Sequence, residues 1–307
     1  MKMIIFKELN MKNIKCLGLI VSVICCMLPV SCSLIDFSED CIYYGDVEIR
    51  ADWSALTKGE TKPVLTDIYL LSSQSNYMYR VTSDTLVTGV QATNYNVLAL
   101  NSYGLENISF SGMDCPNTAE AELRTYENAG RLYTVTAPAF YTANTDLTVI
   151  PFEKTVSKSI LKSAIRQINI DFTVVDNTDI RVSSINGELS GIAYKYGFKG
   201  LDALESAAWL PFDTEINTGK SDLFSSNMKV FGINPDKQST GSIENLLDIT
   251  LQTKEGKIYK ETIDLTSVFN GFITQIIHIT IEIRFGLMGM EAGITGWDVS
   301  DGGIIEL

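Results

Sequence analysis

Residues 47–53 read Val47-Glu48-Ile49-Arg50-Ala51-Asp52-Trp53, a strict alternation that puts Val47, Ile49, Ala51 and Trp53 on one face and three charged side chains on the other. A side-chain period of two belongs to a β-strand with one buried face, because successive Cβ atoms point to opposite sides of the backbone. The pattern recurs in Asp67–Leu71, Tyr77–Val81, Tyr95–Leu100 and Leu132–Val135, each bounded by Gly, Asn, Asp, Ser or Pro. After residue 165 it returns in runs at 168–175, 182–194, 228–233, 246–253, 257–265 and 273–285. Short strands separated by turn residues, in two blocks, predict an all-β chain of two β-sandwiches.

Pro151 and the polar, basic stretch Glu153–Lys162 interrupt the alternation, so the boundary falls there, giving domains 45–155 and 156–307. Two domains suit a chain of 307 residues. Thr253-Lys254-Glu255-Gly256-Lys257 predicts a hairpin turn. Residues 201–209 carry Leu201, Leu204, Ala208 and Trp209 near helical spacing and form the best helix candidate, or a short helical turn in a loop.

The composition, 45% hydrophobic and 20% charged with 7 Pro and 22 Gly, is that of a globular protein with a sizeable core. A net charge of −13 repels polyanions and argues against nucleic-acid partners.

The first residues read as an address. Lys12 and Lys15 precede an apolar stretch from Cys16 to Val30, and Ser31-Cys32 follows. This is the layout of a secretory signal, residues 1–31, with translation starting at Met11; about 20 apolar residues would be needed for a membrane span. The ending Leu28-Pro29-Val30-Ser31-Cys32 resembles a bacterial lipobox, in which cleavage precedes the cysteine and diacylglycerol is attached to its thiol. Cys32 is therefore the lipidation candidate, with palmitate-type chains tethering the protein through residues 32–44. The alternative is an ordinary signal peptide, because Pro29 sits where Leu is preferred. Removing residues 1–31 takes away four Lys and one Glu and leaves a mature chain of net charge −16. Asp36, Glu39 and Asp40 follow the cysteine, loosely like the acidic export signals of surface lipoproteins in Bacteroidetes.

Cleavage leaves Cys41 and Cys115 as a candidate disulfide in an oxidising compartment, with two isolated, partly buried thiols as the alternative. With one histidine, His278, and no CxxC spacing, no zinc set assembles. His278 lies in a strand run either facing the same way as Ile276 and Thr280 or tucked against polar neighbours, and no Ser-His-Asp or Cys-His arrangement is expected. Neither a Walker sequence nor a strand-borne GxGxxG is present. Asp298 and Asp301 lack the twelve-residue calcium-loop pattern and read as a turn before a final strand. The expectation is a protein with no catalytic residues, cofactor or metal. The tyrosine pairs Tyr43/Tyr44, Tyr77/Tyr79 and Tyr194/Tyr196 either line a binding site or pack on a sheet face.

Several segments together resemble the fimbrillin-type lipoproteins of Bacteroidetes, which supply stalk, anchor and tip subunits of type V fimbriae. They are 47–54 soon after the acyl cysteine, ATNYNVLALNSYGLENISFSG at 92–112, INGELSGIAYKYGF at 185–198, MKVFGI at 228–233 and the terminal GWDVSDGGIIEL. The last three resemble a branch long listed as domains of unknown function. The resemblance implies two tandem transthyretin-like, Ig-like Greek-key β-sandwiches and a surface-exposed outer-membrane lipid anchor. It implies an accessory subunit, anchor or tip, acting in fimbrium assembly or cell adhesion and binding other fimbrial subunits by β-strand addition, or a host or bacterial surface ligand. It places Arg50 nearest to the processing arginine of stalk subunits, a step that anchors and tips often skip. The terminal run Gly303–Leu307 either completes its own sheet or enters a partner's groove. A glycan-binding surface lipoprotein of a polysaccharide-uptake system is the competing function.

Overall fold

A computed structural model describes residues 41–300 except 58, 176–179, 218, 221, 235–243, 271–273 and 287–288. The signal segment, Cys32, Asp301 and the run 303–307 lie outside the described residues. Tyr44–Leu307 clusters as one compact unit. Among the described residues there is no α-helix.

In the first half the strands are β1 (Tyr44–Asp52), β2 (Thr66–Leu71), β3 (Asn76–Val81), β4 (Thr85–Gln91), β5 (Asn94–Leu100), β6 (Ile108–Ser111), β7 (Glu120–Leu123), β8 (Thr125–Asn128), β9 (Arg131–Thr134), β10 (Tyr141–Thr148), β11 (Lys154–Ile160) and β12 (Lys162–Ser163). In the second they are β13 (Arg166–Val175), β14 (Val182–Ala193), β15 (Lys195–Gly197), β16 (Asp202–Ala203), β17 (Ala208–Asp213), β18 (Glu215–Ile216), β19 (Leu223–Val230), β20 (Gly232–Ile233), β21 (Leu246–Thr253), β22 (Ile258–Asp264), β23 (Ile276–Gly286) and β24 (Gly289–Ser300).

Both halves are built on one plan. In the first, β4-β1-β11 forms one sheet and β3-β2-β5-β10 the core of the other; in the second, β19-β13-β23 and β17-β14-β21-β22 repeat that order. In each half the opening strand is antiparallel to one neighbour and parallel to the other, β1 with β11 and β13 with β23. The anticipated pair of β-sandwiches is what forms, each with its own core. Val47, Ile49, Ile68, Val97 and Leu161 belong to the first core, and Ile168, Phe172, Leu189, Ile249 and Ile281 to the second. Alternation supplies these cores: in β13 the burial pattern puts Ile168, Ile170, Phe172 and Val174 inside. Asp67 on β2 is 1% exposed and is neutralised there by Arg80, which donates to it at 2.7 and 3.0 Å, with a further bond from Ser102.

Insertions into this plan join the halves. β6 and β7 leave the first sandwich after β5, and β7 pairs with β15 of the second to make the four-stranded sheet β16-β15-β7-β6. Over it lies a third core containing Leu98, Leu123 and Phe140 from the first half and Tyr196, Phe198 and Phe231 from the second. The hairpin β8–β9 extends the second sandwich's sheet, with Tyr133 opposite Trp209.

The chain passes between sandwiches at residues 164–165, after Lys162 and Ser163 have paired with β10 and later than the polar stretch suggests. β11 belongs to the first sandwich and runs through that stretch. It is an edge strand whose inward positions are Ser157 and Ser159, 3% and 1% exposed, while Val156 and Ile160 face outward. Its apolar residues mark the solvent side, which inverts the expected pattern. The helix anticipated over 201–209 does not form. Leu201 takes a positive φ of 51°, and Ala208, Leu210 and Phe212 enter the core at strand spacing on β17. The 253–257 hairpin forms as anticipated: Gly256 takes φ 84°, Gly256 N–H donates to Thr253 O, and Thr253 N–H to Lys257 O.

Candidate functional site

Two surfaces have features that the fold itself does not require. The first is β24, an edge strand with no counterpart in the first sandwich. It pairs with β23 along its length, and Trp297 and Val299 stand opposite Ile279 and Ile277. Cross-strand partners share a face. Trp297 and Val299 therefore project on the core side of the sheet, yet they are 56% and 52% exposed, while Ile277 and Ile279 are buried. Nearer its start the strand is covered, with Met290 in the core and Ala292 and Ile294 packed against it. Among the described residues, the end of β24 thus offers an apolar core face without an opposing layer, beside a backbone edge that no described strand pairs. Such an edge is a template for another strand. By contrast β22, the edge of the facing sheet, turns half-buried Glu261 to the same side as core residues Tyr259 and Ile263, a charge that discourages pairing.

Asp298, expected in a turn before a final strand, belongs to this strand. Gly293 and Gly296 resemble turn residues in sequence but flank the register shift opposite Thr280 and Ile281.

The second surface is a cleft of about 500 Å³ on the outer face of β17-β14-β21-β22. Arg131, at the start of β9, donates to Glu188 and Asp248 at 3.0 Å each, and its guanidinium lies 3.9 Å over the Trp209 ring. Tyr133 donates to Glu188 at 3.0 Å, and Thr262 to Asp248 at 2.7 Å. The bond to Asp248 holds the Arg131 guanidinium above its usual range against the opposing effect of burial. Burial, then the Glu188 carboxylate, pushes the Tyr133 hydroxyl up. One register step away, Asp213, Asn186, Thr250 and Lys260 form a second row across the four strands. The cleft thus joins a wired charge network to an open row of donors and acceptors. Sequence reading missed it because residues 131, 188, 209 and 248 share no local period.

Among the residues expected from sequence, Arg50 is on β1, half exposed and paired with Glu48 at 2.6 Å. His278 points outward on β23 within bonding distance of Asn169, in a row with Asn227 and Asp298. Cys41 is exposed and Cys115 half-buried, both as free thiols. Tyr77 and Tyr79 stack on each other at 6.2 Å and pack against the first core, and Tyr196 is buried in the core between the halves. Among the described residues no group of three or more His, Cys, Asp or Glu is arranged to hold a metal.

No protein-family model matches the chain, and no curated protein matches it. Solved structures do. A proposed adhesin from Bacteroides ovatus aligns with a TM-score of 0.57 at 15% identity, over 82% of this chain and 92% of its own. A second from the same species gives 0.54 at 9% identity, over 85% and 95%. The fimbrial anchor protein Mfa2 from Porphyromonas gingivalis gives 0.53 at 11% identity, over 83% and 98%. The likeness is one of fold, extends across both sandwiches, and agrees with the architecture implied by the fimbrillin resemblance.

Proposed function

We propose that this chain is a non-enzymatic cell-surface adhesion subunit, of the accessory kind that anchors or tips a fimbrium. It is held at the outer membrane by lipid on Cys32 and binds another subunit by strand addition along β24. The observation that carries the reading is the exposed core face at Trp297 and Val299 on an edge that, among the described residues, no strand pairs. An incoming strand there gains backbone hydrogen bonds and apolar cover together. The architecture shared with an anchor and with proposed adhesins supports the same role.

Two experiments test it. Cys32→Ala should move the protein out of the membrane fraction; unchanged fractionation removes the anchor from the account. Native isolation from the envelope should recover fimbrial subunits with this chain. Recovery of a monomer with affinity for a defined oligosaccharide would instead favour a surface glycan-binding protein, the second reading, which the polar cleft beside Arg131 supports.

A further inference from the structure

From the strand pairing we infer that β1 takes tension on the N-terminus in shear, locked against its neighbours and stopped from sliding by the packing around Gly45. Its seven residues Asp46–Asp52 lie in parallel register with Lys154–Ile160 of β11, and on its other side it pairs with β4. In a parallel pair both N-terminal ends lie at the same end of the sheet. The chain enters β1 at Tyr44 at one end and leaves β11 after Ile160 at the other. Tension between residue 44 and the chain beyond 160 therefore pulls β1 along its own axis. All the ladder bonds then resist together, whereas a pull across the ladder would open them one after another.

Three features oppose sliding. Glu48 with Lys154, and Asp52 with Lys158, bridge β1 to β11 at 2.8 Å each. Val47 and Ile49 are 0% and 1% exposed, and a slip of one residue, about 3.3 Å, would carry Glu48 and Arg50 into their places in the core. The first slip that keeps apolar residues inside is two residues, about 6.6 Å, and it brings Val47 to the place of Gly45. That place admits no side chain. A Cβ there would lie 2.3 Å from the Ile150 carbonyl oxygen, 3.0 Å from Val149 Cγ1 and 3.1 Å from the Glu153 carbonyl oxygen. The segment is itself tied to β1, with Phe152 N–H donating to Tyr44 O at 2.8 Å and Asp46 N–H to Glu153 O at 2.9 Å. Gly45 thus seats β1 in one register, and the next permitted register is blocked by Val47.

That tension reaches β1 from its N-terminus rests on the proposed anchoring at Cys32; the resistance of the strand does not. Single-molecule force spectroscopy tests it on the mature chain, with Cys32, Cys41 and Cys115 replaced by Ser. Handles at Tyr44→Cys and Lys162→Cys load the ladder in shear, and handles at Tyr44→Cys and Glu153→Cys open it from one end. The first rupture force should be several-fold higher in shear. Val47→Gly, which lets the two-residue slip proceed, should shrink that ratio, whereas a general loss of stability would lower both forces together. Equal forces in the two geometries would overturn the inference, as would a ratio unchanged by Val47→Gly. If Cys32→Ala leaves the protein on the membrane but the ratio holds, the anchoring reading fails and the shear lock stands.

Discussion

Replacing Phe140 by Ala should lower the melting temperature of the whole protein, not of one sandwich. Phe140 is fully buried in the core between the halves. Its ring centre lies 5.8 Å from that of Phe110, 6.1 Å from Phe198 and from Phe231, and 6.2 Å from Tyr196. Truncating a buried Phe costs about 3–5 kcal/mol through lost transfer energy and the cavity left behind. Four ring neighbours in tilted, T-shaped or edge arrangements place this site near the upper end. At about 2–4 °C per kcal/mol for a chain of this size, about 5 kcal/mol corresponds to a fall of about 10–20 °C. Phe198, Tyr196 and Phe231 come from the second half, so the loss is felt on both sides of the junction. Calorimetry of the mature chain should show one endotherm that moves as a whole. Two endotherms, one at the wild-type temperature, would refute the coupling, and a shift under about 2 °C would show that the ring does not fill this core.

Hydrogen bonds from Lys158 and then Ser54 hold the Asp52 carboxyl down to about 2, and Lys154 and Arg50 hold Glu48 below its usual range. Both carboxyls are depressed on folding, so their stabilisation is present above the unfolded values and is lost as pH falls, for Asp52 toward about 2. Asp52→Asn should flatten the acid limb of a stability-versus-pH curve in that window; an unchanged limb would contradict the Lys158 contact. The Arg50–Ala51 bond lies in a strand paired there with Lys158 and Ser159 of β11, so trypsin should spare it until that ladder opens, and mass analysis showing early cleavage there would displace β1 from the sheet. Among the described residues the buried Ser159 hydroxyl has no hydrogen-bond partner, so Ser159→Ala should be neutral or stabilise by about 1 kcal/mol in denaturant unfolding, and a clear loss would show a bond to that oxygen.

Strands with a simple inside and outside were legible from the first alternating heptapeptide onward: Val47 and Ile49 are buried and Glu48 and Arg50 face outward. β11 was not legible, because an edge strand that packs serines inward and bares Val156 and Ile160 carries the pattern of a linker. Leu201–Trp209 misled in the same way, since the positive φ at Leu201 ends any helical reading that its apolar spacing encourages. The junction escaped a domain-by-domain reading because β7 finds its partner in β15, more than seventy residues later, and no local rule encodes a pairing at that distance. The Arg131 cleft was hidden for the same reason, its parts coming from β9, β14, β17 and β21.

In the proposed function the end of β24 receives a strand from another surface subunit. A photocrosslinking amino acid at Val299, with a second protein carrying it at Lys260 in the polar cleft, tests this in intact envelopes. Strand addition there should give a protein adduct from position 299 that is lost in Trp297→Lys, with none from position 260. Adducts from position 260 alone, or a position 299 that crosslinks nothing, would contradict it.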